Sequence, residues 1–359
     1  MHAATAPQFP HESCLTSKNL LAGCLAATYG TRLPWLPDAY ALPHQLPALV
    51  ERWRRDAQPP QPPQPPQPPQ EAAAAPQPGG PWWREAAAEP WLLKPWSSSR
   101  SRGLLLVREL EAVLASCGAA FGPKLCCEYV RRPLLLKGRK FDLRLLVCVR
   151  SLAPLRAYVY RGWYARLASA AYAGAPLHDA SAHFTVSKYL GPDDGGGGQG
   201  CKEGCIEGKR VLEVLAAEAR DAALLAGGGS AAQGRCAFGG WEELRPPLYR
   251  MLADVFRVLA ARAPSAEWST GQCRALYGLD VMLAPTAGWR DPERPTAEGG
   301  GAPSAASSDS VQPVLVEVNY SPDLSTALAF YPSFVDDLFR RLFLGEEQQD
   351  GGGEQWDLL

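Results

Sequence analysis

Long uncharged apolar runs are missing from this chain. Even the run through Val149 is broken by Arg144 and Arg150, well short of the ~18 to 20 apolar residues that a membrane-spanning helix needs. A surplus of one charge is missing too. Lysine and arginine total 36 against 37 aspartates and glutamates, a net charge of -1, which removes the overall electrostatic reason for nonspecific nucleic-acid binding. Residues 1 to 12 contain no basic stretch followed by an apolar core, so no secretory leader is expected. A cytoplasmic chain whose ten cysteines stay thiols follows. Cys126 and Cys127 are adjacent, and the pair Cys201 and Cys205 has no second pair at zinc-finger spacing. What remains is a chain of 359 residues, 46% hydrophobic, long enough for one large or two smaller packed cores.

Glycine and proline are abundant, at 34 residues each, well above the ~12% of average usage. They are localised. Residues 58 to 70 read QPPQPPQPPQPPQ, a polyproline II tract followed by small residues to Gly80. Gly191 to Gly240 and Ala284 to Ser310 read as loose surface loops. Between these zones, Leu104 to Ser116 and Leu248 to Ala261 have helical spacing, and a final helix is expected over Ser333 to Phe343. Strands are expected over Leu125 to Val130, Leu143 to Arg150, Leu155 to Tyr160, Ala275 to Leu283 and Pro313 to Val318. The mixed order predicts an α+β fold with mostly antiparallel sheets. The expected division is an N-terminal subdomain over 1–57, a linker or insertion over 58–80, a core over 81–345 and a flexible tail over 346–359.

Charged residues inside apolar segments mark the candidate chemistry. LYGLDVML carries Asp280, and PVLVEVNYSP carries Glu317 and Asn319, two apart and so on one face of a strand. Three oxygen-bearing side chains from two strands suit Mg²⁺ held together with phosphates; a strand carboxylate paired with arginine is the plainer alternative. WLLKPW ends an apolar run on Lys94, and SSSRSRG follows with Arg100, Arg102 and Gly103, an arrangement able to grip phosphate or simply a disordered loop. In KGRKFDLR, Lys140, Asp142 and Arg144 alternate on one strand face opposite Phe141 and Leu143. That face is either inward and functional or a solvated edge.

Taken in order, LKPW with SRSRG, GRKFDLR, RGWYARLAS, HFTVSKY, LYGLDVML and VLVEVNYSPDL resemble the tubulin-tyrosine-ligase-like family, amino-acid ligases of ATP-grasp fold. The resemblance covers most of residues 9 to 345, and six ordered blocks are far more specific than any one. It implies the cofactors ATP and Mg²⁺ and a reaction through an acyl phosphate, in which the protein positions groups and stabilises charge. Carried over by residue, Lys94 meets the α/β phosphates, and Arg100, Arg102 and Gly103 belong to the closing loop. The segment containing Cys127, Glu128, Tyr129 and Val130 meets adenine. Lys140, Asp142 and Thr185 hold the nucleotide, Arg144 and Arg166 the γ-phosphate and the reacting carboxylate, and Asp280, Glu317 and Asn319 the metal.

Three positions depart from the family pattern. Ser101 replaces a loop glycine, Val186 an asparagine, and Cys127 a glutamine that would bind adenine; none removes a charge or a metal ligand. Two readings follow: a ligase acting on tubulin tails, or a nucleotide-binding pseudoligase that occupies tubulin and regulates its modification. Six positive charges between Arg131 and Arg144, against Asp142 alone, suggest a stripe for an acidic tail such as that of tubulin. A cytoplasmic monomer, possible at microtubules, is expected, with neither nucleic acid nor membrane as partner.

Overall fold

The computed structural model describes residues 9, 11–30, 33–57, 89–96, 103–117, 122–185, 204–225, 238–262, 273–286, 310–344 and 355–359. In chain order the elements are α1 (Ser13–Thr16), α2 (Lys18–Tyr29), β1 (Ala39–Leu42), α3 (Leu46–Ala57), β2 (Trp91–Pro95), β3 (Leu105–Val107), α4 (Leu110–Ala115), β4 (Lys124–Glu128), β5 (Leu135–Leu136), β6 (Arg139–Leu152), β7 (Leu155–Tyr160) and β8 (Tyr164–Leu167). There follow α5 (Ala180–His183), β9 (Cys205–Glu207), α6 (Gly208–Leu225), α7 (Trp241–Arg262), β10 (Ala275–Pro285), β11 (Val311–Tyr320), α8 (Ser325–Phe330), α9 (Phe334–Phe339), a π-helical turn (Arg340–Leu344) and β12 (Trp356–Leu358). The strand pairs are antiparallel, as expected for the α+β fold. No helix among the described residues is long and apolar enough to cross a membrane.

The chain divides into two compact units, Met1–Pro37 with Arg132–Leu359, and Asp38–Arg131. This differs from the expected grouping of residues 1–57. Phe9, Cys14, Leu15, Leu21 and Leu25 join the core of the larger unit, because α1 and α2 present apolar side chains that need a sheet to bury against. The smaller unit is a four-stranded sheet of order β1-β4-β2-β3. Its core holds Leu49, Trp53, Trp91, Leu93 and Cys126, with Trp53 stacked on Trp91 at 5.8 Å.

The larger unit is built on a sheet whose main path is β11-β10-β6-β7-β12, with β8 pairing β6 and β9. One face packs on the main core, where Leu143, Leu145, Val147, Tyr277, Leu279 and Val281 meet Leu248, Leu252, Phe256 and Leu259 of α7. Along the other face, Leu146, Cys148, Tyr158, Tyr160 and Tyr164 form a second core with Phe334, Leu342 and Trp356.

Four expectations need correcting. The zone Gly191 to Gly240 contains the 18-residue helix α6, whose Val211 and Leu215 reach the core; the flanking glycines obscured its periodicity. The helix expected over Leu104 to Ser116 is a strand, β3, then the short α4. The flexible tail contains β12, hydrogen-bonded to β7. Helix α7 also begins seven residues before the expected Leu248, running through Pro246 and Pro247. Each proline removes a helix hydrogen bond, and burial of Leu244, Leu248, Met251 and Leu252 holds the turn together.

Candidate active site

The alternation seen in KGRKFDLR is that of an inward strand face. Lys140, Asp142 and Arg144 on β6 are buried, the first two to within 2% of full burial. Register supplies their neighbours: Asp142 lies opposite Arg166 on β8, Arg144 opposite Asp280 on β10, and Asp280 opposite Glu317 on β11. Arg144 donates through Nε to Asp280 Oδ1 at 2.5 Å and through Nη2 to Oδ2 at 3.2 Å. Arg166 donates through Nε and Nη2 to the two oxygens of Asp142, at 2.7 and 2.8 Å, and its Nη2 also lies 2.8 Å from Asp280 Oδ2. Thr185 donates its hydroxyl to Asp142. Asn319 Nδ2 reaches Asp280 at 3.2 Å and Glu317 at 3.1 Å, and Lys18 lies 3.7 Å from Glu317.

The electrostatics follow from this pairing. Burial raises the carboxyl pKa of Asp280, but Arg144 and Arg166 outweigh it and hold the group below the usual carboxylate range. Burial likewise opposes charge on Arg166, and Asp142 and Asp280 more than restore it, raising its pKa. Tyr164, opposite Arg144, is pushed up to about 12 by burial, with the two arginines pulling the other way.

Two backbone features aim these side chains. A β-bulge interrupts the β10–β11 register after Asp280, so that Asp280 faces Glu317 while Val281 faces Leu315. The extra residue, Val316, resets the alternation: Leu315 and Val318 both enter the main core, and Glu317 and Asn319 remain on the charged face. Gly278 is the second. A Cβ there would lie 2.9 Å from Pro322 Cβ and 3.3 Å from both Cδ and Nη1 of Arg144, so the missing side chain lets Pro322 and Arg144 pack close against the strand. Sequence reading missed Gly278 and Lys18. A glycine in an apolar strand was the available signal for the first, and none pointed to the second.

In the smaller unit, Lys94 is buried on β2, in the strand next to Cys127 on β4. Burial raises the Cys127 thiol and the Lys94 charge partly offsets this; the thiol donates to Leu92 O at 3.5 Å. Glu128 accepts from Arg52 at 2.7 Å and from the Asp38 N–H at 3.1 Å, which makes it an anchor within the unit. Tyr129 and Val130 are buried after the strand. Gly103 has φ +71, and a Cβ on it would lie 2.9 Å from Pro95 Cγ, so both conformation and space require glycine. Arg100, Ser101, Arg102 and Val186 lie outside the described residues.

The basic stripe is broken up. Lys140 and Arg144 point inward, and Arg131 pairs with Glu89 at 2.6 Å. Arg132 and Lys137 are exposed and Arg139 half-buried. Strand β6 is buried on both faces from Lys140 to Val149, so a count of charges along it overstates those facing solvent.

The chain matches the tubulin-tyrosine ligase family over residues 2–205 and 234–351. It belongs to that family. The family is ATP-grasp-like, in keeping with the mixed antiparallel architecture. Tubulin–tyrosine ligase-like protein 12 of Caenorhabditis briggsae is 27% identical over 346 residues, covering 94% of this chain and 41% of the relative. Its Homo sapiens counterpart is 26% identical over 362 residues, covering 96% and 44%. The human "Probable tubulin polyglutamylase TTLL2" is 25% identical over 274 residues, covering 73% and 36%. The chain thus spans about two-fifths of the length of the curated relatives it matches.

The donor set agrees with a hard divalent cation. Asp280, Glu317 and Asn319 form one hydrogen-bonded cluster in which the Asn319 amide nitrogen donates to both carboxylates, and the two carboxylates are the ligand type Mg²⁺ takes beside phosphate. Asp280 Oδ2 lies within 2.8 to 3.2 Å of nitrogens of Arg144, Arg166 and Asn319, so a cation would compete with two guanidinium groups for that carboxylate.

Proposed function

We propose that this chain is an ATP- and Mg²⁺-binding ligase of the tubulin-tyrosine ligase type, acting on the acidic tail of tubulin or a similar protein. The observation that carries the reading is the buried charged row Asp142–Arg166–Asp280–Arg144 with Glu317 and Asn319 beside it. Burying so many ionised groups is expensive, and an apolar row of the same volume would serve stability at least as well. In this proposal Asp280, Glu317 and Asn319 hold Mg²⁺; Lys94, Arg100, Arg102 and Gly103 belong to the phosphate-binding machinery; and the segment Cys127, Glu128, Tyr129 and Val130 serves the adenine through its backbone. Lys140, Asp142 and Thr185 hold the nucleotide. Bound Mg-ATP supplies the phosphoryl group that activates a carboxylate toward an amine. Arg144 and Arg166 neutralise the phosphoryl and carboxylate charges, already fixed in orientation by Asp142 and Asp280, so little reorganisation is left to the reacting complex. Names of relatives that act on tubulin support the partner. A cytoplasmic monomer, near microtubules, fits the same reading.

A second reading, nucleotide binding without ligation, is favoured by Cys127. Its buried thiol donates to Leu92 O and supplies no amide, which leaves adenine to the backbone of the segment and the nucleotide less firmly placed for transfer. Thermal unfolding with ATP, with and without Mg²⁺, tests what the readings share: the midpoint should rise, and rise further with Mg²⁺. Glu317→Gln should remove the Mg²⁺-dependent part and keep the fold. No shift at millimolar nucleotide would sink both. Incorporation of labelled tyrosine, glutamate or glycine into tubulin then separates them.

A further inference from the structure

The strand β12 is held by more than edge pairing. Trp356 lies opposite Tyr160, Asp357 opposite Val159 and Leu358 opposite Tyr158. The pairing is extended at both ends, where Arg161 N–H donates to Gln355 O at 2.8 Å and Leu359 N–H to Ala157 O at 3.0 Å. Trp356 is 5% exposed, its ring 4.9 Å from that of Tyr160 and 5.9 Å from that of Phe334. On the opposite face Asp357 accepts from Arg161 Nε and from the Tyr249 hydroxyl, each at 2.8 Å, and Leu359 packs against the main core. One five-residue segment therefore fills an aromatic socket on one side of the sheet and a charge-and-hydroxyl clamp on the other.

This segment also stands at an edge. It pairs with β7 alone, at the end of the sheet path, ten residues separate it from the π-helical turn, and it lies beyond the family match, which ends at residue 351. An extended peptide added to a sheet edge takes its affinity from main-chain bonds and its specificity from alternate side-chain pockets. We infer that the β7 edge is a peptide-docking site that reads a Trp-Asp-x-Leu strand, that residues 355–359 occupy it in cis, and that the same sequence presented in trans exchanges with them. The in-cis segment prevails through high effective concentration.

The test uses the full chain carrying Trp356→Ala and Asp357→Ala, titrated with a fluorescein-labelled peptide of residues 350–359 and followed by anisotropy. Saturable binding is expected, at least about tenfold tighter than to the wild-type chain, whose edge is already filled. A peptide with alanine for tryptophan should bind at least about tenfold more weakly, tryptophan being the buried anchor. Equal binding to both chains, or none to a variant with unchanged circular dichroism, overturns the inference. Should that variant fail to fold, Asp357→Asn decides: the Arg161 amide should exchange faster than in wild type and slow again with added peptide. Exchange that the peptide does not alter overturns the inference as well.

Discussion

Gly278 shows how a residue without a side chain controls a charged one. A Cβ on Gly278 would stand 2.9 Å from Pro322 Cβ and 3.3 Å from Cδ and Nη1 of Arg144, the residue that grips Asp280. Gly278→Ala forces either Pro322 or Arg144 to move, and overpacking of this kind typically destabilises by about 1–3 kcal/mol. The expected outcome is a lower urea midpoint and a reduced Mg-ATP stabilisation, both from one methyl group. A fall in midpoint with a full nucleotide response would place the strain on Pro322 and leave Arg144 where it is. The charged partners were partly legible beforehand: alternation put Lys140, Asp142 and Arg144 on one face, because strand period is fixed by the backbone. Which carboxylate each arginine takes was not legible, since it depends on strands far apart in sequence coming into register.

At the scale of elements, the hairpin that presents Lys140 turns on two residues. Leu136 pairs with Arg139, leaving Lys137 and Gly138, with φ +51 and +70, as a two-residue loop with both centres left-handed. Asn-Gly is the favoured pair for such a loop, and lysine at the first position is strained. Glu218 of α6 offsets this by accepting the Lys137 N–H at 2.9 Å. Lys137→Asn keeps that backbone bond and should stabilise the chain by about 0.5–1 kcal/mol, read as a raised urea midpoint; an unchanged or lowered midpoint would show that the lysine side chain itself contributes. Elements with long apolar patterns, such as β6 and β10, were readable from sequence. The bulge at Val316 was not, because the alternation through VLVEVNY is unbroken in the letters and is reset only by pairing with β10. Helix α6 went unread because glycine-rich neighbours dominate its surroundings, although Val211 and Leu215 carry the helical spacing.

For the molecule as a whole, the buried charged row ties stability to pH. The folded-state pKa of Asp280 lies below its ordinary value, through Arg144 and Arg166 acting against burial, so the unfolded chain binds more protons than the folded one wherever this group titrates. Stability then rises with pH across that window. The contribution is fully present above the ordinary value of about 3.9 and is lost as pH falls toward the folded value. Asp357, lowered by its bonds from Arg161 and Tyr249 despite burial, adds in the same direction. Asp280→Asn removes the titrating group and leaves Arg144 and Arg166 with one buried carboxylate, Asp142, between them, so it should destabilise by about 3–5 kcal/mol at neutral pH. The two chains should converge as pH is lowered, because protonation does to the wild type what the substitution does at every pH. Urea midpoints at neutral pH and at a series of values from about pH 4 downward measure this. A constant difference between the two chains down to the lowest pH would mean that Asp280 is not the carboxylate that links the row to acid.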